Sequence, residues 1–361
     1  MSRPTPLRDV HESLGATLTD FAGWLMPLRY GSESAEHRAV REAAGLFDLS
    51  HMGEIFLTGP QAAEALDYAL VGHLSALAVG RARYTMIVNE RGGVLDDLIV
   101  YRLGDEEFMV VANASNYEKV ARELQERAKA YDAVVEDRSD RYALIAVQGP
   151  RSQEILATLT DADLAGLKYY AGLPGTVDGR QALIARTGYT GEDGFELFVA
   201  GEDAVPLWHA LTAAGEPYGL KPAGLSSRDT LRLEAGMPLY GNELSAELTP
   251  FDAGLGRVVK FDKPGDFVGR SALEAVKDDQ PRRRLVGLVA RGRRVPRHGY
   301  PVTRDGAVVG EVTSGAPSQS LGKPIAMAYV DTGADAGLAV DIRGSHEPVD
   351  LVELPFYRRN K

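Results

Sequence analysis

Polar and apolar positions change period several times along the chain, and the changes mark its elements. Residues 32–44 carry Ala35, Ala39, Val40 and Ala43 at helical spacing, with Ser32 placed to cap the start and Gly45 to end it. Residues 60–71 predict a second helix, with Pro60 in its first turn and Gly72 after it. Ser115-Asn116-Tyr117-Glu118 has capping-box spacing and opens a third, with Val120, Leu124, Ala128 and Tyr131 along one side. Helices are also expected near 203–214, near 224–236, and after a second capping box, Ser271-Ala272-Leu273-Glu274. Between them lie strand patterns at 55–57, 82–88, 94–103, 108–112, 143–147, 182–185 and 197–200. Asn89-Glu90-Arg91-Gly92-Gly93 turns 82–88 and 94–103 into a hairpin, so 51–139 reads as an α+β unit with an antiparallel sheet. From 281 onward, short apolar runs at 285–290, 307–309 and 325–330 alternate with turns and predict a small all-β domain.

The 361 residues suffice for two or three domains with a real core. Forty lysines and arginines against fifty-one acids leave a net charge of −11, which argues against nucleic acid or an anionic membrane as main partner. No apolar run approaches the ~18 residues of a membrane span, and residues 1–7 lack the apolar core of a signal peptide, so a cytoplasmic protein is expected. There is no cysteine, which removes disulfides, thiolate metal sites and a cysteine nucleophile; any sulfur chemistry belongs to a substrate or partner. The seven histidines lack zinc-ligand spacing, so no metal is expected.

Three stretches carry candidate chemistry. Residues 186–196 place three glycines, Gly188, Gly191 and Gly194, between two strand patterns, together with Arg186, Tyr189 and the acids Glu192, Asp193 and Glu196. Neither dinucleotide nor Walker spacing is present, and three acids repel phosphate; they suit a ligand offering N–H donors, such as an aminopyrimidine ring. Phe195, Leu197 and Val199 share one strand face and Glu196 falls on the other, beside Phe198. Asp96 and Asp97 interrupt an apolar strand, where a carboxylate is costly unless paired or used; one can face solvent while the other points inward. Arg228 and Arg232, one helical turn apart, read as surface ion pairs or as a clamp on a ligand carboxylate. Seven arginines crowd 281–297, either a solvated rim or a dock for an acidic partner.

Read together, these blocks resemble the T-protein of the glycine cleavage system, a tetrahydrofolate-dependent aminomethyltransferase, almost end to end. The blocks are Asp20-Phe21-Ala22-Gly23-Trp24, Phe47 through Glu54, Gly92 through Leu98, Gln148-Gly149-Pro150, Arg186 through Glu196, Pro222 through Leu225, Arg232 through Gly236, Thr313-Ser314-Gly315 and Pro355 through Arg358. The resemblance implies an α+β chain of three domains around a central folate channel: a split first domain (1–50 plus 140–245), a ferredoxin-like second (51–139), and a linker helix with a C-terminal β-barrel-like domain (246–361). It implies Asp97 as the catalytic carboxylate and Tyr84, Asn113, Tyr169, Tyr189, Glu196 and Arg228 as folate contacts. It further implies tetrahydrofolate as co-substrate without metal or flavin, and a lipoyl-bearing H-protein as carrier. A monomer is expected, meeting the carrier through Arg358 or the 281–297 segment. Alternatives within the fold are the folate lobe of sarcosine- and dimethylglycine-oxidising enzymes, for whose flavin region no residues are spare, and an iron–sulfur maturation relative whose signature needs a cysteine. A non-catalytic folate binder is the alternative of a different class, and it has no use for Asp97.

Overall fold

The computed structural model describes residues 2–359, which divide into two compact units. The first comprises residues 2–87, 96–228 and 262–267; the second comprises 88–95, 229–261 and 268–359.

The first unit holds three sheets. A six-stranded sheet runs in the order Gly172–Val177, Arg180–Ala185, Gly194–Ala200, Tyr142–Gln148, Gly45–Asp48, Lys221–Pro222. Its core joins Phe195, Leu197 and Val199 to Ile145, Val147, Ile184, Leu46 and Trp208, so that face of the Gly194–Ala200 strand is apolar, as its alternation predicts. The Gly45–Asp48 strand was not expected. The preceding helix is shorter than 32–44, covering Glu33–Glu42, and Gly45 opens a strand instead of capping it. A Cβ at Gly45 would lie 2.4 Å from Val40 Cγ2, so the glycine permits the chain to fold back against its own helix. Asp48, at the strand's end, is buried and accepts from Thr5 Oγ1 at 2.6 Å and Ser50 N at 2.9 Å and meets His11 Nε2 at 2.9 Å; these contacts hold its carboxyl below the usual range despite burial.

The five-stranded sheet follows the order Ala82–Val88, Val94–Gly104, Glu107–Ala112, Gly53–Thr58, Val134–Asp137, with helices Ala62–Ala69 and Tyr117–Arg127 packed on it. The expected capping box at 115–118 does not form. Asn116 holds the N-cap position without a side-chain cap bond, because its amide is spent on buried Asp96 at 2.8 Å. A three-stranded sheet of Arg3–Pro4, Trp24–Arg29 and Thr17–Phe21 completes the unit.

In the second unit, six strands (Arg283–Ala290, Lys323–Asp331, Ala307–Ser318, Pro301–Arg304, Leu338–Ile342 and Ser345–Val352) close into a barrel filled by Val286, Leu288, Val302, Val312, Ala328 and Val340. Closure leaves no unpaired sheet edge. Three of the crowded arginines are consumed by aspartates on the barrel: Arg283 by Asp331, Arg284 by Asp335 and Arg291 by Asp350. The second capping box is also replaced: helix Arg270–Val276 starts from Gly269, whose φ of 84° is a glycine conformation, and Glu274 pairs with Arg270 at 3.0 Å.

Arg232 corrects the sequence reading most clearly. It is fully buried, donates to Glu243 Oε2 at 2.9 Å, to Asp229 Oδ1 at 2.8 Å and to Ser314 Oγ at 2.7 Å, and so belongs to an internal network and not to a ligand clamp. Glu243 is itself buried and also accepts from Leu239 N at 2.9 Å. Arg232→Met leaves that carboxylate without its cation, and the expected loss is about 3–5 kcal/mol in chemical unfolding of the full chain. A loss under about 1 kcal/mol contradicts the assignment.

Candidate functional site

Asp96 and Asp97 lie on the Val94–Gly104 strand, which alternation should turn to opposite sides. One residue reads both. Asn113, at the end of the neighbouring strand, directs its Nδ2 to Asp96 Oδ1 at 2.9 Å and Asp97 Oδ1 at 2.8 Å. Asp96 is wholly buried and takes two further N–H groups, from Asn113 N at 3.0 Å and Asn116 Nδ2 at 2.8 Å. Burial, and then the charge on Asp97, push its carboxyl up to about 7, while those amides pull the other way. Asp97 is half-buried and accepts from the Tyr84 hydroxyl at 3.0 Å. Burial and the Asp97 charge raise Tyr84 well above the usual tyrosine range, so the phenol remains a donor. The structure thus brings Tyr84, Asp97 and Asn113 together and adds Asp96 to them.

The glycine-rich loop is built differently from its sequence reading. Cβ atoms at Gly188 and Gly194 would come within 2.0 Å and 2.4 Å of the Gln148 side chain, so two of the glycines make room for Gln148, not for a ligand. Gln148 fastens the loop by donating to the Thr187 carbonyl at 3.0 Å and accepting from Thr190 Oγ1 at 2.9 Å. Gly191 supplies a φ of 81°. Of the three acids, Glu192 pairs with Arg41 at 2.9 Å and Asp193 with Arg186 at 2.5 Å, so both brace the loop. Glu196 alone is held by hydroxyls. Thr187 Oγ1 donates to its Oε2, and the Tyr101 hydroxyl lies 2.8 Å behind on Thr187. Burial raises the Glu196 carboxyl, opposed by Thr187, by the positive charge of Arg228 and by Tyr101.

Aromatic rings connect the two carboxylate groups. Arg228 lies over the Tyr189 ring, 4.7 Å from its centre. The Tyr170 hydroxyl is within electrostatic reach of both Glu196 and Asp97, and burial keeps it protonated. Tyr170 takes a φ of 56°, a left-handed conformation that costs a non-glycine residue about 1–2 kcal/mol and that marks the turn presenting it. Tyr169 is 42% exposed, at the rim, with its ring edge-on to Tyr170 at 4.9 Å. His51 is buried edge-on to Phe21 with Nδ1 lacking a hydrogen-bond partner; burial and then Arg228 lower it to about 4, so it is neutral. Tyr101, Tyr170, Thr187 and His51 were not singled out individually from sequence. Tyr101 and Tyr170 gave no signal beyond adjacency to candidate motifs, because only folding puts their hydroxyls beside the carboxylates. Among the described residues no cluster of histidine and acidic side chains could hold a metal ion.

These features define a class: an α+β unit carrying buried carboxylates beside tyrosines, followed by a small closed barrel. Residues 7–263 match the GCVT N-terminal domain and residues 283–358 the glycine cleavage T-protein C-terminal barrel domain. The chain is 69% identical over 366 residues to an aminomethyltransferase of Streptomyces avermitilis, covering 99% of this chain and 98% of that one. It is 65% identical to one of Saccharopolyspora erythraea over 362 residues, covering 99% of each. The glycine cleavage system aminomethyltransferase T of Bartonella henselae superposes with a TM-score of 0.93 at 36% identity, with both chains covered in full. The chain belongs to the glycine cleavage T-protein family.

The buried Asp96 makes a signed pH prediction. A carboxyl whose folded value is about 7 against an ordinary 3.8 stabilises the fold fully below about 4, and that contribution is lost as pH rises through about 7. Unfolding free energies of wild type and Asp96→Asn measured from pH 4 to 8 are therefore expected to diverge, the wild type losing stability relative to the variant as pH rises. Parallel curves would remove Asp96 as the titrating group.

Proposed function

We propose that this chain, an aminomethyltransferase of the glycine cleavage system, takes the aminomethyl group from the lipoyl sulfur of an H-protein and passes its carbon to tetrahydrofolate. The products are 5,10-methylenetetrahydrofolate, ammonia and the reduced lipoyl arm. Two C–N bonds form as one C–N and one C–S bond break, and the folate amines lose protons as they attack. On this reading Asp97 accepts a hydrogen bond from a folate N–H and stabilises the positive charge that develops there. Tyr84 and Asn113 aim that carboxylate from either side, at 3.0 Å and 2.8 Å. Glu196 meets the N–H edge of the aminopyrimidine, for which a carboxylate offers two parallel acceptors. Tyr169, Tyr170 and Tyr189 provide ring surface, and Arg228 adds positive charge suited to a folate carbonyl or carboxylate. Much of the rate gain comes from holding two substrates in register. The proposal extends to the three-lobed division of the chain, to action as a cytoplasmic monomer, and to a carrier contact through Arg358 or the 281–297 arginines.

The observation that carries this reading is Asp97 itself. Asp97 is a half-buried carboxylate that the Tyr84 phenol and the Asn113 amide orient. Asp97→Asn should bind tetrahydrofolate with near-wild-type affinity and lose about 10²–10⁴-fold in kcat, read as ammonia and methylenetetrahydrofolate formed from aminomethyl-loaded lipoyl carrier. A variant that turns over at the wild-type rate would take the reaction away from Asp97. Wild-type protein that binds folate but releases no ammonia would reduce the chain to a folate binder.

A further inference from the structure

The Gly194–Ala200 strand gives Glu196 little help from its immediate neighbours. Its cross-strand partners are Ala146 on one side and Ala185 on the other, side chains that supply no donor. The donors come from elsewhere in the unit. Thr187 lies in the loop leading out of strand Arg180–Ala185, and Tyr101 is on the Val94–Gly104 strand of the other sheet. Both side chains are buried, at 1% exposure each. Neither is needed to fill the core face of the Glu196 strand, which Phe195, Leu197 and Val199 occupy.

We infer that Thr187 and Tyr101 are positioning residues for Glu196, a two-hydroxyl chain that sets the aim and the charge of the carboxylate meeting the folate ring. The inference rests on the reading of Glu196 as the aminopyrimidine contact. A hydroxyl carries one proton. That of Thr187 goes to Glu196 Oε2, so at 2.8 Å the Tyr101 hydroxyl donates to Thr187. Both protons then point toward the anion, and each bond polarises the next. Thr187, together with the Tyr101 hydroxyl where it reaches the carboxylate directly, occupies at most two of its about four lone-pair directions, which leaves two for parallel bonds to a ligand's N–H groups. The charged and titratable groups facing Glu196 are Arg228, Tyr101 and Tyr170; the two phenols are neutral, and Arg228 rests on the Tyr189 ring. Without the chain, burial would favour the protonated acid, which has one acceptor oxygen fewer to offer.

The test measures tetrahydrofolate affinity of the full chain by anaerobic calorimetry between pH 5 and 9, for wild type, Thr187→Val, Thr187→Ser, Tyr101→Phe and Glu196→Gln. Thr187→Val keeps the shape of the side chain and removes the donor. It should weaken binding about tenfold near pH 7.5 and move the midpoint of the affinity–pH curve upward, raising KM for folate while kcat at saturation stays close to wild type. Thr187→Ser should restore both affinity and midpoint, and Tyr101→Phe should shift them in the same direction as Thr187→Val by a smaller amount. If Glu196→Gln loses affinity while Thr187→Val keeps the wild-type affinity and midpoint, the hydroxyl chain is overturned and the role of Glu196 stands. If Thr187→Ser fails to rescue, the threonine acts by packing, which also overturns the chain. If Glu196→Gln binds like wild type, the reading beneath the inference fails with it.

Discussion

A carboxylate removed from water keeps its charge only if the protein replaces the hydrogen bonds and the potential that water supplied. The first unit does this in two ways. Glu192 and Asp193 are neutralised by Arg41 and Arg186, and both pairs brace the loop at 186–196. Asp96, Asp97 and Glu196 accept hydrogen bonds from amides and hydroxyls, those of Asn113, Asn116, Tyr84 and Thr187, and Glu196 also feels the positive charge of Arg228. A guanidinium would satisfy a carboxylate and then compete with any ligand for it. Neutral donors orient the anion and leave its negative potential in place. The proposed chemistry depends on the acids that amides and hydroxyls orient.

The same rule operates in the second unit with the opposite outcome. Arg232, Glu243 and Ser314 satisfy one another in a fully buried network, so an arginine one turn from Arg228 on the same helix has a purely internal task. Helical spacing puts both on one face but does not say which meets an acid from within its own fold. The arginine-rich 281–297 segment divides in the same way, since Arg283, Arg284 and Arg291 already pair with barrel aspartates.

Much of the fold was legible in the sequence. The hairpin 82–103, the helix opening near 117, the barrel strands and the two faces of the Gly194–Ala200 strand all follow from periodicity, because burial selects apolar side chains at every second or every third and fourth position. Cap chemistry was less reliable. Ser32 holds its N-cap position without a side-chain cap bond, and the caps expected at Ser115 and Ser271 fall instead to Asn116, whose amide serves Asp96, and to Gly269, which starts its helix with a left-handed backbone. The Gly45–Asp48 strand was hidden by a glycine that suits a helix end as well as it suits a close approach to Val40.

The sequence by itself determined which residues carry chemistry: an aspartate pair in an apolar strand, an acid-rich glycine loop and the blocks that mark the family. Those are chemical identities, and they are local. The tertiary structure alone decided which partners each member of these groups meets. Asn113 reaches across from the next strand to both aspartates, Arg41 and Arg186 remove two of the loop's three acids, and Tyr101, 86 residues from Thr187, comes within hydrogen-bond distance of it. A donor's identity is written in the sequence, but its direction and the water it displaces exist only once distant strands have packed together.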